Sequence, residues 1–248
     1  MVIFTSQNQS KTLASLESRL HSLYVFGGVS ALLQLASILT LMVVMMTLGT
    51  KPETAQEYFN VYQESKLAGL LRGDLLLLVL IGLYVGTFPA LYAALHRINP
   101  VYSALATVFT LMAVVGTFAT ESTFSLMRLS EQFAAAGTEA ERSIFLAAGE
   151  AVIASDMWHS SGAYMGGILL QGSGVMISLI MLKSKDFSKV TAYTGLLGNG
   201  FDLIQHILHP FAPSVSGFIS AFMGLFYFVW YPMLTRDFFR LARQMREG

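Results

Sequence analysis

Six stretches of this chain are predominantly apolar over roughly the ~20 residues a helix needs to cross the ~30 Å hydrocarbon core of a bilayer. They are Leu23–Leu48, Leu75–Leu95, Val101–Thr120, Ser160–Leu182, Val190–His209 and Ser216–Leu234. In lipid every backbone N–H and C=O must find a partner within the protein, which leaves helices or a closed barrel. Barrel strands alternate apolar and polar residues, and these runs do not. Composition agrees: 54% of the 248 residues are hydrophobic and 12% are charged, about half the ~25% usual for a soluble domain. The reading is an all-α, polytopic integral membrane bundle of six transmembrane helices, formed by residues 1–248 as one membrane domain. A disordered chain and a soluble globular domain are both excluded.

Charge orients the bundle. An even number of spans puts both termini on one face, and that face carries ten Lys and Arg residues against five on the other. Basic loops stay inside, so the N- and C-termini are expected in the cytoplasm of a cell with this protein in its plasma membrane. The first 21 residues are polar, with Lys11, Glu17 and Arg19, and show no cleavable signal peptide. The absence of cysteine removes disulfides, thiolate metal sites and thiol nucleophiles. A net charge of zero with no basic patch gives no reason to expect nucleic acid as a partner. The expected partners are the lipid bilayer and a small-molecule or lipid substrate, and a homo-oligomer is compatible with the sequence.

Between spans, residues 121–159 read as an extracytoplasmic helical hairpin. Helical pattern continues past the third span to Gly137. Thr138 and Glu141 then form a capping-box pair opening a helix that could run unbroken from Glu139 to Leu182. Arg236–Arg246 reads as a basic amphipathic helix on anionic lipid. Tyr227, Trp230 and Tyr231 read as an interfacial aromatic belt near the cytoplasmic face. Pro89 is expected to kink the second span, Gln34 to tie helices together, and His21 and His96 to sit at the cytoplasmic interface without a role.

Ionisable residues inside a span are costly, and so they point to function. On the fifth span Gly195, Gly198, Asp202, His206 and His209 fall within an arc of about 60°, opposite a leucine- and isoleucine-rich face. Side chains at i and i+4 converge, so this stripe suits metal ligation, a proton relay, or a buried pair acting only as interhelical glue. The fourth span carries Asp156, Ser160, Gly167, Gln171, Gly174 and Ser178 on one face with His159 at its edge. The third carries Ser103, Thr107, Thr110, Thr117 and Glu121, although Ser and Thr in such helices often bond only their own backbone. Counting ~1.5 Å per residue puts Glu121, Asp156, His159, His206 and His209 near the outer boundary, with Asp202 deeper. If the three faces converge, they enclose a polar cavity in the outer half.

The stretches MLKSKDFSKVTAYTGLLGNGFDLIQHILHP (Met181–Pro210) and LSEQFAAAGTEAERSIFLAAGE (Leu129–Glu150) combine a basic, Phe-containing turn, a Gly-rich span and an Ala-rich amphipathic helix. This pattern resembles a family of six-helix prokaryotic membrane proteins known only as a domain of unknown function, over the last half of the chain. The resemblance implies six helices and a prokaryotic cell membrane, and no activity or site residue.

Four functions are open. The first is a metal-dependent membrane enzyme: His159, His206 and His209 would hold a divalent ion such as zinc, with Asp202, Glu121 or Asp156 as catalytic carboxylates. The second is a proton-coupled transporter or permease of a small solute switched by Asp202 and His206, although no inverted repeat is evident. The third, a haem protein with histidine axial ligands, ranks below these. The fourth is a structural or partner-binding subunit.

Overall fold

The computed structural model describes residues 3–155 and 160–247. Among the described residues the regular structure is all helical, with no β-strand. Eleven helices follow in order: α1 (Ile3–Thr47), α2 (Ala55–Glu64), α3 (Lys66–Arg72), α4 (Leu75–Gly82), α5 (Tyr84–Leu95), α6 (Pro100–Thr120), α7 (Thr123–Ala135), α8 (Glu139–Ile153), α9 (Ser161–Met181), α10 (Lys189–Leu208) and α11 (Pro213–Glu247). Five described segments are long and apolar enough to cross a membrane: Ser15–Thr47, Leu75–Leu95, Pro100–Ala135, Ser161–Met181 and Pro213–Arg246. The fifth expected span, α10, is long enough, but its stripe of Asn199, Asp202, Gln205 and His206 lowers its mean hydropathy. Its packing is that of a bundle member, lying between α9 and α11.

Local sequence explains the helix ends. Asn99, Thr138, Ser160 and Ser188 each stand before a helix in extended backbone and accept a hydrogen bond from an N–H in its first turn, which satisfies one of the donors a helix start leaves open. Thr138 and Glu141 form the expected capping box. Gly49, at φ +99°, supplies the left-handed residue just beyond α1, a conformation glycine adopts without steric cost.

Three expectations change. The helix from Glu139 does not run through to Leu182: α8 ends at Ile153, and Ser160 caps a new helix with extended backbone. The second span is broken at Leu83, six residues before Pro89. A proline ring crowds the carbonyl four residues earlier, so its effect falls on the preceding turn, where Gly86 N–H bonds Leu83 O in a tightened loop. The last span and the basic tail are one continuous helix, α11.

At the end that carries the termini, α1 and α11 run antiparallel. His21 Nδ1 lies 2.8 Å from Ala242 O, and Thr235 Oγ1 donates to Gly28 O. Gln34 ties α1 to the second crossing, accepting from Thr87 Oγ1 at 3.0 Å, which is the interhelical role its sequence suggested. The opposite end carries a separate cap of α2, α3, α7 and α8 around its own core of Ala55, Tyr58, Phe59, Tyr62 and Leu126. Tyr62 Oη donates to Thr123 O, Ser130 Oγ to Phe59 O, and Ala55 N to Glu150 Oε1. The sequence pointed to a two-helix extension here; α2 and α3 complete it as a small subdomain.

Candidate functional site

The three polar faces meet in part. Gln171 of α9, Asp202, Gln205 and His206 of α10 and Thr117 of α6 line one cavity of about 360 Å³. Every membrane-length helix contributes to its wall: Ile38 and Leu41 from α1, Leu77, Leu80, Ile81 and Tyr84 from the broken second crossing, and Ser220, Met223, Gly224, Tyr227 and Tyr231 from α11. Most of that wall is hydrocarbon. Polar groups gather on one side, where α9, α10 and α11 adjoin.

Asp202 is the centre of that side. It is 8% exposed, and its Oδ2 accepts a 2.9 Å hydrogen bond from Tyr227 Oη. The same hydroxyl lies 3.1 Å from Gln171 Oε1 and 3.4 Å from Asn199 Oδ1. Asn199 in turn donates to Gly195 O on its own helix at 2.7 Å. Beside this cluster Tyr84 and Tyr231 share a 2.8 Å hydrogen bond between their hydroxyls. His206 is 4% exposed and stacks on Tyr164, ring centroids 5.8 Å apart.

Glycine makes this crowding possible. A Cβ on Gly167 would overlap the His206 ring, one on Gly174 would overlap the Asn199 amide, and one on Gly195 would press on Trp230 and Ser178. The glycines of the α9 and α10 stripes are thus close-approach positions that let large polar side chains from the facing helix sit at the interface.

Two further expected site residues, Glu121 and His209, are absent from the cavity wall. Glu121 caps the turn into α7, its Oε1 accepting from Ser122 N and Thr123 Oγ1, and does not line the cavity. His209 faces the turn into α11, with Nδ1 3.2 Å from Ser216 Oγ. Asp156 and His159 lie outside the described residues. Among the described residues no group of three His, Asp or Glu side chains could hold a metal ion. His206 and His209 are three residues apart on one helix, and the other expected ligands, His159 and Asp156, are among the residues outside the description. Thr107 Oγ1 bonds Ser103 O on its own helix at 2.9 Å and reaches Phe88 O of α5 at 3.5 Å.

The sequence misassigned the aromatic residues of α11. Trp230 and Tyr231 are 0% and 1% exposed, and Tyr227 is the donor to Asp202. They form a buried core with Tyr84 and Phe88 instead of an interfacial belt. Their spacing was the available signal: Tyr227 and Tyr231 are i and i+4 and share one face, whereas a belt only needs residues at one depth.

No curated protein and no solved structure matches the chain. The family described as Domain of unknown function (DUF4386) matches residues 26–235, reaching from the first apolar run to the last and so well beyond the half over which the resemblance was legible. The chain, an apolar helical protein of membrane type, belongs to this family of unknown function.

Proposed function

We propose that this protein crosses the cell membrane six times, with both termini in the cytoplasm, and binds a small, largely apolar molecule bearing one hydrogen-bond-donating or cationic end. The observation that carries this reading is a buried carboxylate, Asp202, opening on an apolar cavity walled by all the membrane-length helices. Cavities of ~300 Å³ and above, mostly hydrocarbon with a few converging polar groups, are the usual form of small-molecule sites. An intramembrane carboxylate costs roughly 2.5–3.5 kcal/mol to insert, a cost that a ligand's donor group offsets. The ten-to-five basic asymmetry supports the orientation, and the position of α10 between α9 and α11 supports the sixth crossing.

Among the functions the sequence left open, this favours a carrier for a small solute or lipid-like molecule, with Asp202 as its proton- or cation-responsive group. Metal-dependent catalysis would need ligands beyond the described residues, and stoichiometric zinc in the purified protein would restore it.

The test uses 1-aminoanthracene, an apolar donor whose emission rises on leaving water, with full-length protein in detergent. Gly224 lines the cavity, and a Cβ there meets nothing within 4 Å, so Gly224→Leu fills space without disturbing packing. Wild-type protein should bind the probe saturably. Gly224→Leu should abolish that binding, and Asp202→Leu should weaken it about tenfold, equivalent to ~1.4 kcal/mol, with thermal melting confirming that both fold. Unchanged affinity in both folded variants overturns the reading.

A further inference from the structure

A second concavity lies at the opposite end of the bundle, where the termini are. α6 and α9 approach closely near the cap, where Gly166 faces the backbone of Ala113 and Gly116 faces the carbonyl of Gly162. At the other end of the same helix pair the facing residues are large, and a groove of about 460 Å³ remains between them. Its walls are Ile98, Tyr102, Met176, Leu179, Ile180 and Leu182, and its rim holds Asn99 and Lys183.

The chemistry divides along the helix axis. Tyr102, Leu179 and Ile98 are large and outward-facing, at 54%, 47% and 38% exposed, forming a hydrocarbon trough between α6 and α9. At its mouth the Lys183 ammonium makes no ion pair among the described residues. Asn99 uses its side-chain oxygen to cap α6, accepting from Tyr102 N at 3.1 Å, which leaves its amide N–H₂ directed away from that bond. The mouth is also the N-terminus of α6, a 21-residue helix, whose partial positive charge favours anions. The Lys183 ammonium and the Asn99-capped start of α6 thus both favour a negative group at one point, and both adjoin an apolar trough.

We propose that this groove is a site for an anionic phospholipid of the leaflet facing the termini, with its phosphate on Lys183, Asn99 and the α6 N-terminus and one acyl chain along Met176, Leu179 and Ile180. Charge complementarity selects this occupant. The termini face carries ten basic residues against four acidic ones, and basic pockets between membrane helices on a cytoplasmic side suit anionic headgroups. The trough supplies what a free anion would not use.

Native mass spectrometry of the full-length protein tests this, with phosphatidylglycerol and phosphatidylcholine of identical chains as probes. Phosphatidylglycerol should be retained at least fivefold more than phosphatidylcholine. Lys183→Ala should remove that preference, whereas Lys185→Ala, an exposed lysine on the same loop that does not line the groove, should leave it intact. Met176→Trp, which fills the trough, should reduce retention of both lipids. A preference that survives Lys183→Ala, or that falls equally with Lys185→Ala, overturns the proposal by making attraction diffuse. Displacement of the lipid by excess inorganic phosphate also overturns it, since the site would then read the anion alone.

Discussion

Tyr227 brings one phenolic proton to three acceptor oxygens, and the shortest contact, at 2.9 Å, goes to Asp202. A hydrogen bond to a charged group contributes roughly 1.5–3 kcal/mol, and leaving a buried partner unsatisfied costs a similar amount. Tyr227→Phe should therefore lower the unfolding free energy by about 1–3 kcal/mol. Asp202→Leu removes both the carboxylate and its need for a donor, so the double variant should lose less than the two single losses combined. Chemical unfolding of the four proteins in detergent measures this coupling; strict additivity would show that the two side chains do not interact. Asp202 was legible in the sequence because a carboxylate in an apolar run stands out. Tyr227 was not, because an aromatic residue in a membrane helix is unremarkable until its hydroxyl is seen to meet an acid 25 positions earlier.

At the level of helices, α10 is held at both ends by α11. At the far end Ser216 Oγ donates to Gln205 O. At the termini end the fully buried Asp237 carboxylate accepts from Ser188 N at 2.9 Å and Thr191 Oγ1 at 2.5 Å, with Arg236 and Arg240 beside it at 3.1 and 3.4 Å. A carboxylate at a helix N-terminus satisfies open N–H groups and complements the helix dipole. Asp237→Ala should loosen this junction and raise amide hydrogen exchange across residues 184–192, while exchange in the cap stays unchanged. Equal exchange at the junction would mean that packing alone, through Phe187 on Phe238, fixes α10. Asp237 was not legible in the sequence as a cap, since nothing in its own helix reveals that it caps another one 46 residues away.

Over the whole molecule, two cores lie at different depths, one among the membrane-length helices and one in the cap. Tyr62 anchors the cap core, and its phenol is pushed well above the ordinary tyrosine range by burial first and then by the negative charges of Asp74 and Glu121. The unfolded chain ionises this group near pH ~10, whereas the folded cap holds the proton to higher pH. Its contribution to stability is thus complete below about pH 10 and is lost as pH rises through the folded value. Wild-type cap should melt on the alkaline side before the membrane core does, and Tyr62→Phe should flatten that pH dependence, read by circular dichroism during titration. The surface ion pairs of the cap, Lys66–Glu131 and Arg142–Glu139, are exposed and should add little at any salt concentration.

What the sequence determined by itself was the all-α, membrane-type architecture, the capping box at Thr138 and the polar stripe of α10. Each follows from spacing within one helix, which local periodicity records. The tertiary structure alone decided that Asp202, Gln171 and Tyr227 share a cavity while Glu121 caps a turn and His209 meets Ser216. It also decided that α2 and α3 complete a cap and that Asp237 clamps α10. These depend on which faces of different helices meet, and a face that must avoid lipid carries no mark of its partner. The glycines at 167, 174 and 195 show the limit most plainly. The sequence marks them as small, and only the packed helices reveal which side chain each one admits.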